Sequence, residues 1–231
     1  MTRHKQALLI IDMTNDFLYR KYNATLALER AQELIPRIRE LEEVFLSHNH
    51  PVIYLSDRHL PSDYELKKWG PHSMKGTEGS EITDGLLKEG IKVFERRWKA
   101  WDLETVDRGR KQLFEVEKGT YSGFTDNGGQ PTALHALLTW LGFGEGDSLY
   151  LTGLHTNACD KHTAADAWFR GYHPLIVSDC TDAFDDPYGT LGMDHGRALK
   201  YEKYWYSADV LTSGEVIDII GKKLEAEEFM E

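Results

Sequence analysis

Residues 148–171 read SLYLTGLHTNACDKHTAADAWFRG, and this stretch decides the fold class. Its first six residues, Ser148-Leu-Tyr-Leu-Thr-Gly153, form a short apolar run of strand length. Runs that do not alternate suit strands covered on both faces, as in a parallel sheet. Thr163 to Arg170 is Ala-rich and closed by Gly171, the pattern of a helix with a glycine stop. A buried strand that turns directly into a helix is a unit of an α/β fold. Between the two lies Cys159, one of 2 cysteines in the chain. Two readings of it stand at this point. A thiol at a helix start faces the positive end of the helix dipole, which favours thiolate. A free cysteine is otherwise a small buried hydrophobe.

The same unit recurs outward in both directions. Apolar runs lie at Ala7–Ile11, Val52–Leu55, Leu113–Glu117, Leu149–Thr152 and Leu175–Ser178, with a late candidate near Ser207–Val210. Helical spacing links Leu34, Ile35, Ile38, Leu41, Val44 and Phe45, with Pro36 in the first turn, where a missing N–H is harmless. Thr132–Leu141, stopped by Gly142, is a second helix, and Gly214–Leu224 is a last one that runs into an acidic surface end at residues 223–231. The alternation predicts one α/β domain over residues 1–231, with a mostly parallel central sheet and helices on both faces. Two segments break the pattern. Residues 57–83 are rich in His, Pro, Gly and charge and read as a long functional loop. Residues 95–111 read as an extra amphipathic piece carrying Trp98 and Trp101, suited to packing, to a lid or to a subunit contact.

Composition excludes some functions. The chain has 231 residues and a net charge of −11, which argues against binding nucleic acid or an anionic membrane. Its apolar runs are too short to span a bilayer. The opening MTRHKQALLIID is interrupted by Asp12 and does not read as a signal peptide. Two cysteines without a CxxC pattern suit a reducing compartment, so the expectation is a cytoplasmic protein without a Cys159–Cys180 disulfide.

The polar residues fall where the strands end. Asp12 closes the first run, Asp57 and then His59 the second, Lys118 the third, and Cys159 follows the fourth. In a parallel sheet these ends share one edge, where ligands of open α/β sheets bind. A thiol becomes a nucleophile at neutral pH when a base and a cation stand beside it. Asp12 suits the base, Lys118 the cation, and backbone N–H groups near Cys159 suit an oxyanion. Asp57 and His59, two apart in an extended segment, point to one side and can share a cation. His72 adds a third ligand, with Glu65 nearby, leaving open positions as in catalytic rather than structural sites. Such donors suit zinc, iron or manganese.

Over nearly its whole length the chain resembles the isochorismatase-like cysteine hydrolases, and within them the nicotinamidases. ALLIIDMTNDFL resembles the strand bearing the catalytic acid, EKGTYSGF the catalytic lysine segment, and GLHTNACDKHTAADA the nucleophile segment. SDRH followed by WGPHSMKGTEGSEI resembles the nicotinamidase metal loop. The resemblance implies Asp12, Lys118 and Cys159 as catalytic residues and the N–H groups of His155 and Cys159 as the oxyanion hole. It implies Asp57, His59 and His72 as ligands of one divalent metal, zinc first with iron or manganese as alternatives. Glu65 has the spacing of a further ligand found in some members. Phe17, Trp69 and Tyr121 match pocket aromatics. The implied activity is an amidohydrolase, cleaving nicotinamide to nicotinate and ammonia through a cysteine thioester. The other readings are a family hydrolase of another small amide or carbamoyl compound, or a non-hydrolytic metal or thiol sensor. The partners expected are a small amide substrate and further copies of the chain. The chain departs from the family pattern at 95–111, which reads as an insertion, at HTNAC, where T-D-x-C is common, and at Asp160, which follows the thiol. The family's cis peptide would join Leu154 and His155.

Overall fold

The computed structural model describes residues 4–107, 109, 112–185, 189 and 192–228, with side chains described up to 221. Seven strands form one sheet: β1 (Gln6–Ile11), β2 (Val52–Asp57), β3 (Lys92–Phe94), β4 (Leu113–Lys118), β5 (Ser148–Leu154), β6 (His173–Asp182) and β7 (Asp209–Leu211). Their order is β3-β4-β2-β1-β5-β6-β7, and every pairing is parallel. The helices are α1 (Asn15–Leu18), α2 (Ile35–Ser47), α3 (Leu66–Trp69), α4 (Ala100–Glu104), α5 (Leu134–Trp140), α6 (Lys161–Phe169), α7 (His195–Trp205) and α8 (Ser213–Glu228).

The central strands β1, β2 and β5 are largely apolar because both faces are covered. Ala7, Leu9 and Ile11 of β1 join one core with Leu137 of α5 and Ala164 of α6. Leu8 and Ile10 join the other with Ile38 and Phe45 of α2 and Val216 of α8. Pro36 lies in the first turn of α2, as its sequence position requires. The chain leaves β1 on one side toward β2 and returns on its other side as β5, so the order reverses at β1. Registers then set the site: Asp57 pairs with Lys118, and Ile11 pairs with Gly153. Gly153 has φ +107°, and a Cβ there would stand 2.0 Å from the Ile11 carbonyl oxygen, so only glycine lets β5 approach β1 this closely.

Several elements differ from the sequence expectations. The edge strand β3 is three residues long and only Phe94 of it is buried, too little for a periodicity signal. In α7 only Ala198 and Glu202 are buried, so its sequence carries no apolar stripe. The fifth run continues to Asp182, which puts Cys180 inside β6 rather than after it; it is buried, and both cysteines are free. The 57–83 loop holds α3 and a 3-10 turn at Glu78–Ser80, and His59 bridges to Met74. Within 95–111, Trp98 packs against the core while Trp101 is 64% exposed; residues 108, 110 and 111 lie outside the described residues. Among the described residues no helix is long and apolar enough to cross a membrane.

Candidate active site

The four strand ends meet at the carboxyl edge. Asp12, just after β1, has φ 51°, the left-handed region that a non-glycine residue rarely adopts. Its Oδ1 accepts the Asp57 N–H at 2.9 Å and its Oδ2 accepts from Lys118 at 2.7 Å. Lys118 Nζ also donates to Asp57 Oδ1 at 2.7 Å and lies 3.8 Å from Cys159 Sγ. One buried ammonium thus faces two buried carboxylates and a thiol. Burial, then the charge of Asp57, pushes the Asp12 carboxyl up to about 6. Burial also works against ionised Asp57, but Lys118 and His59 outweigh it and hold that carboxyl below its usual range. Burial disfavours the Lys118 cation too, yet Asp12 and Asp57 keep it protonated well above its ordinary value.

Cys159 corrects the helix-dipole expectation. It sits in a π-helical turn, Thr156–Asp160, that precedes α6, and it is buried. Burial pushes its thiol well above the ordinary value, and Lys118 opposes this only in part. The resting group is therefore the thiol. The preceding Leu154–His155 peptide is cis. The carboxyl of Asp160 turns to the Thr181 hydroxyl, which donates to it, and burial raises it to about 7.

Beside the trio, Asp57, His59, Glu65 and His72 each bring a ligand atom within 4.8 Å of the others. His59 gives its Nδ1 to Asp63 at 3.0 Å, and His72 gives its Nδ1 to the Gly70 carbonyl at 2.9 Å. Both imidazoles therefore aim Nε2 into the cluster. His59 Nε2 and Glu65 Oε2 are buried and without a hydrogen-bond partner. An orphaned imidazole nitrogen and an orphaned carboxylate oxygen, buried in a cluster of two imidazoles and two carboxylates, fit a divalent cation. Burial lowers His59, but the carboxylates of Asp57, Asp63 and Glu65 together outweigh it and raise it to about 9, so a proton and a cation compete for Nε2. Asp12, Asp57 and Cys159 also lie within 4.8 Å of one another, but the Lys118 ammonium already occupies that space. The ligand loop is pinned by Asp16, whose carboxylate accepts the Ser73 N–H at 2.6 Å.

A cavity of about 470 Å³ opens beside these groups. Trp69 and Tyr121 line one side, where the Trp69 indole N–H donates to the Tyr121 hydroxyl at 2.8 Å. His155 and Phe184 line the other, stacked 4.8 Å apart at 21°. Phe17 is buried behind this wall, edge-on to His72 at 5.7 Å and to His155 at 5.6 Å. Every residue predicted from sequence is thus at or against one site. The imidazole of His155, Phe184, Asn157 and His162 were not anticipated as cavity walls. Burial holds the His155 imidazole neutral by lowering it to about 4. Asp63 was also missed, although its spacing of four from His59 was a readable signal.

Comparison with known proteins gives the family of the chain. The family model of the isochorismatase domain matches residues 6–108 and 97–201. A nicotinamidase of Schizosaccharomyces pombe is 26% identical over 221 residues, covering 84% of this chain and 87% of that protein. The crystal structure of N-carbamoylsarcosine amidase from Thermoplasma acidophilum matches with TM-score 0.68 and 31% identity, covering 90% of this chain and 96% of that one. That of a nicotinamidase from Bacillus subtilis matches with TM-score 0.66 and 29% identity, covering 90% and 99%. The chain belongs to the isochorismatase family, and within it is an amidohydrolase.

Proposed function

We propose that this protein is a nicotinamidase, hydrolysing nicotinamide to nicotinate and ammonia through a thioester on Cys159. The observation that carries the reading is the sharing of Asp57. Its Oδ1 accepts from Lys118 at 2.7 Å while its Oδ2 lies 3.6 Å from His59 Nε2. One carboxylate ties the cation site to the thiol trio, so a ring bound at the first reaches the second.

In this reading Asp12 takes the thiol proton as the Cys159 sulfur attacks the amide carbon. The carbonyl electrons move to oxygen, which the N–H groups of His155 and Cys159 receive. Collapse breaks the C–N bond, and the Asp12 proton leaves on nitrogen as ammonia. Water then adds to the thioester, Asp12 taking its proton; the C–S bond breaks, and Cys159 recovers its proton from Asp12. Lys118 stays charged throughout and compensates whichever neighbour is anionic. Asp57, His59, His72 and Glu65 would hold the cation, assigned as zinc with iron or manganese as alternatives; when bound it supplies a Lewis-acidic hold on the ring nitrogen. Phe17, Trp69 and Tyr121 form the ring pocket. Segment 95–111 is read as an insertion in a single domain; the two stretches of the family match overlap within it, over residues 97–108.

A second reading is cleavage of a carbamoyl compound. The 31% identity to N-carbamoylsarcosine amidase favours it. Ammonia release from nicotinamide and from N-carbamoyl amino acids, each with and without a chelator, separates the two. Chelator-sensitive release from nicotinamide is expected; release from the carbamoyl compounds alone would overturn the nicotinamidase reading.

A further inference from the structure

Arg96 lies just after β3, at the start of the segment that departs from the family pattern, and its side chain is 8% exposed. Its guanidinium is forked between two acids. Nη1 donates to Asp63 Oδ2 at 2.5 Å, while Nε and Nη2 donate to the two oxygens of Asp126 at 2.9 Å each. The same Nη1 lies 3.4 Å from the Arg58 carbonyl oxygen. The guanidinium also lies against Gly119, the residue after Lys118, where a Cβ would come within 2.4 Å of its central carbon. One side chain therefore joins the ligand loop, the lysine turn and the segment from 95.

The oxygen it grips on Asp63 is the one that matters. Asp63 Oδ2 accepts from His59 Nδ1 at 3.0 Å and from the Leu60 N–H at 2.9 Å. A carboxylate on Nδ1 fixes the tautomer and ring plane of a ligating histidine and leaves Nε2 as the ligand atom. A carboxylate free to turn would do this poorly, because a cation site tolerates little displacement of its donors. Arg96 prevents the turn, since its other edge is locked on Asp126.

We propose that Arg96 is a positioning residue of the cation site, acting through Asp63 to hold His59 Nε2 toward Asp57, Glu65 and His72. The proposal rests on the reading of those four residues as metal ligands. It gives the start of segment 95–111 a task that surface packing would not require.

The test is titration of the full chain, stripped of metal, with Co²⁺ and Zn²⁺ against a chromogenic chelator. Arg96→Leu strips two buried acids of their cation, so Arg96→Lys, which keeps the charge but not the fork, is measured beside it. Asp63→Asn, the Arg96→Lys/Asp63→Asn double variant and His72→Ala complete the set. Arg96→Lys and Asp63→Asn are each expected to weaken metal binding by roughly 10- to 100-fold, the usual effect of losing a partner behind a ligand. The Co²⁺ absorption spectrum of Arg96→Lys should shift, and the double variant should bind no worse than Asp63→Asn alone. Binding by Arg96→Lys within about twofold of the unaltered chain with an unchanged spectrum, or losses that add in the double variant, would overturn the proposal. Undiminished binding by His72→Ala would instead overturn the metal-site reading beneath it.

Discussion

The ammonium of Lys118 stands 3.8 Å from the sulfur of Cys159, and both groups are buried. Because Asp12 touches the same ammonium, moving a proton from the thiol to Asp12 creates no net charge. It moves a negative charge from one neighbour of Lys118 to another. In a low-dielectric site this is far cheaper than separating a thiolate from an uncompensated proton. Lys118→Met should therefore lower kcat by roughly 10²- to 10⁴-fold. It should also destabilise the fold by about 3–5 kcal/mol, because Asp12 and Asp57 lose their cation. Steady-state ammonia release and a thermal melt of the same preparation check both halves.

Asp12 must be ionised to accept the thiol proton, and its carboxyl is raised to about 6 by burial and by Asp57. Below that pH the base is protonated and unable to act. The rate constant kcat/KM should rise about tenfold per pH unit up to this point and then level off. A profile that stays flat down to pH ~4, near an ordinary aspartate, would show that the Asp12 carboxyl is not raised in the working enzyme.

Glu202 of α7 is fully buried, and neither of its carboxyl oxygens has a partner. Burial, then the nearby Asp160, pushes it up to about 9 from an ordinary 4.5. Below pH 4.5 folded and unfolded chains both hold the proton, and the group adds no pH dependence. Between the two values the unfolded chain releases it and the folded chain does not, so stability falls as pH rises. The local slope approaches about 1.4 kcal/mol per pH unit. Glu202→Gln should remove this contribution and gain most over the unaltered chain at the alkaline end. Melting temperatures of both proteins between about pH 5 and pH 8, inside the interval where only the unfolded chain releases this proton, give the answer; parallel curves would refute it.

Trp69 is 37% exposed and held by its bond to Tyr121. In the proposed function Trp69 packs on the substrate ring in the ground state as in the transition state, so its loss should act on binding. Trp69→Ala should raise KM about tenfold with little change in kcat. Trp69→Phe keeps the ring but not the N–H and should fall between. A fall in kcat with unchanged KM would place Trp69 in the chemical step instead.

The sequence alone determined the layered α/β fold and the set of groups at one sheet edge. Apolar runs report burial on both faces, and a strand's last residue is a position countable along the chain. Asp12, Asp57, Lys118 and Cys159 were legible for that reason. The weak elements were not: β3 and α7 bury too few side chains to leave a pattern. Tertiary structure alone decided the charge states, since the Cys159 thiol is raised by burial that no local helix dipole reports. It alone decided the far wall, because Phe184 reaches His155 from 29 positions away along the chain, outside any local periodicity. It also set the link from Arg96 through Asp63 to His59, whose members come from separate segments. Spacing speaks for contacts within one strand or helix; contacts between elements depend on register and packing, and these are fixed only when the sheet closes on its helices.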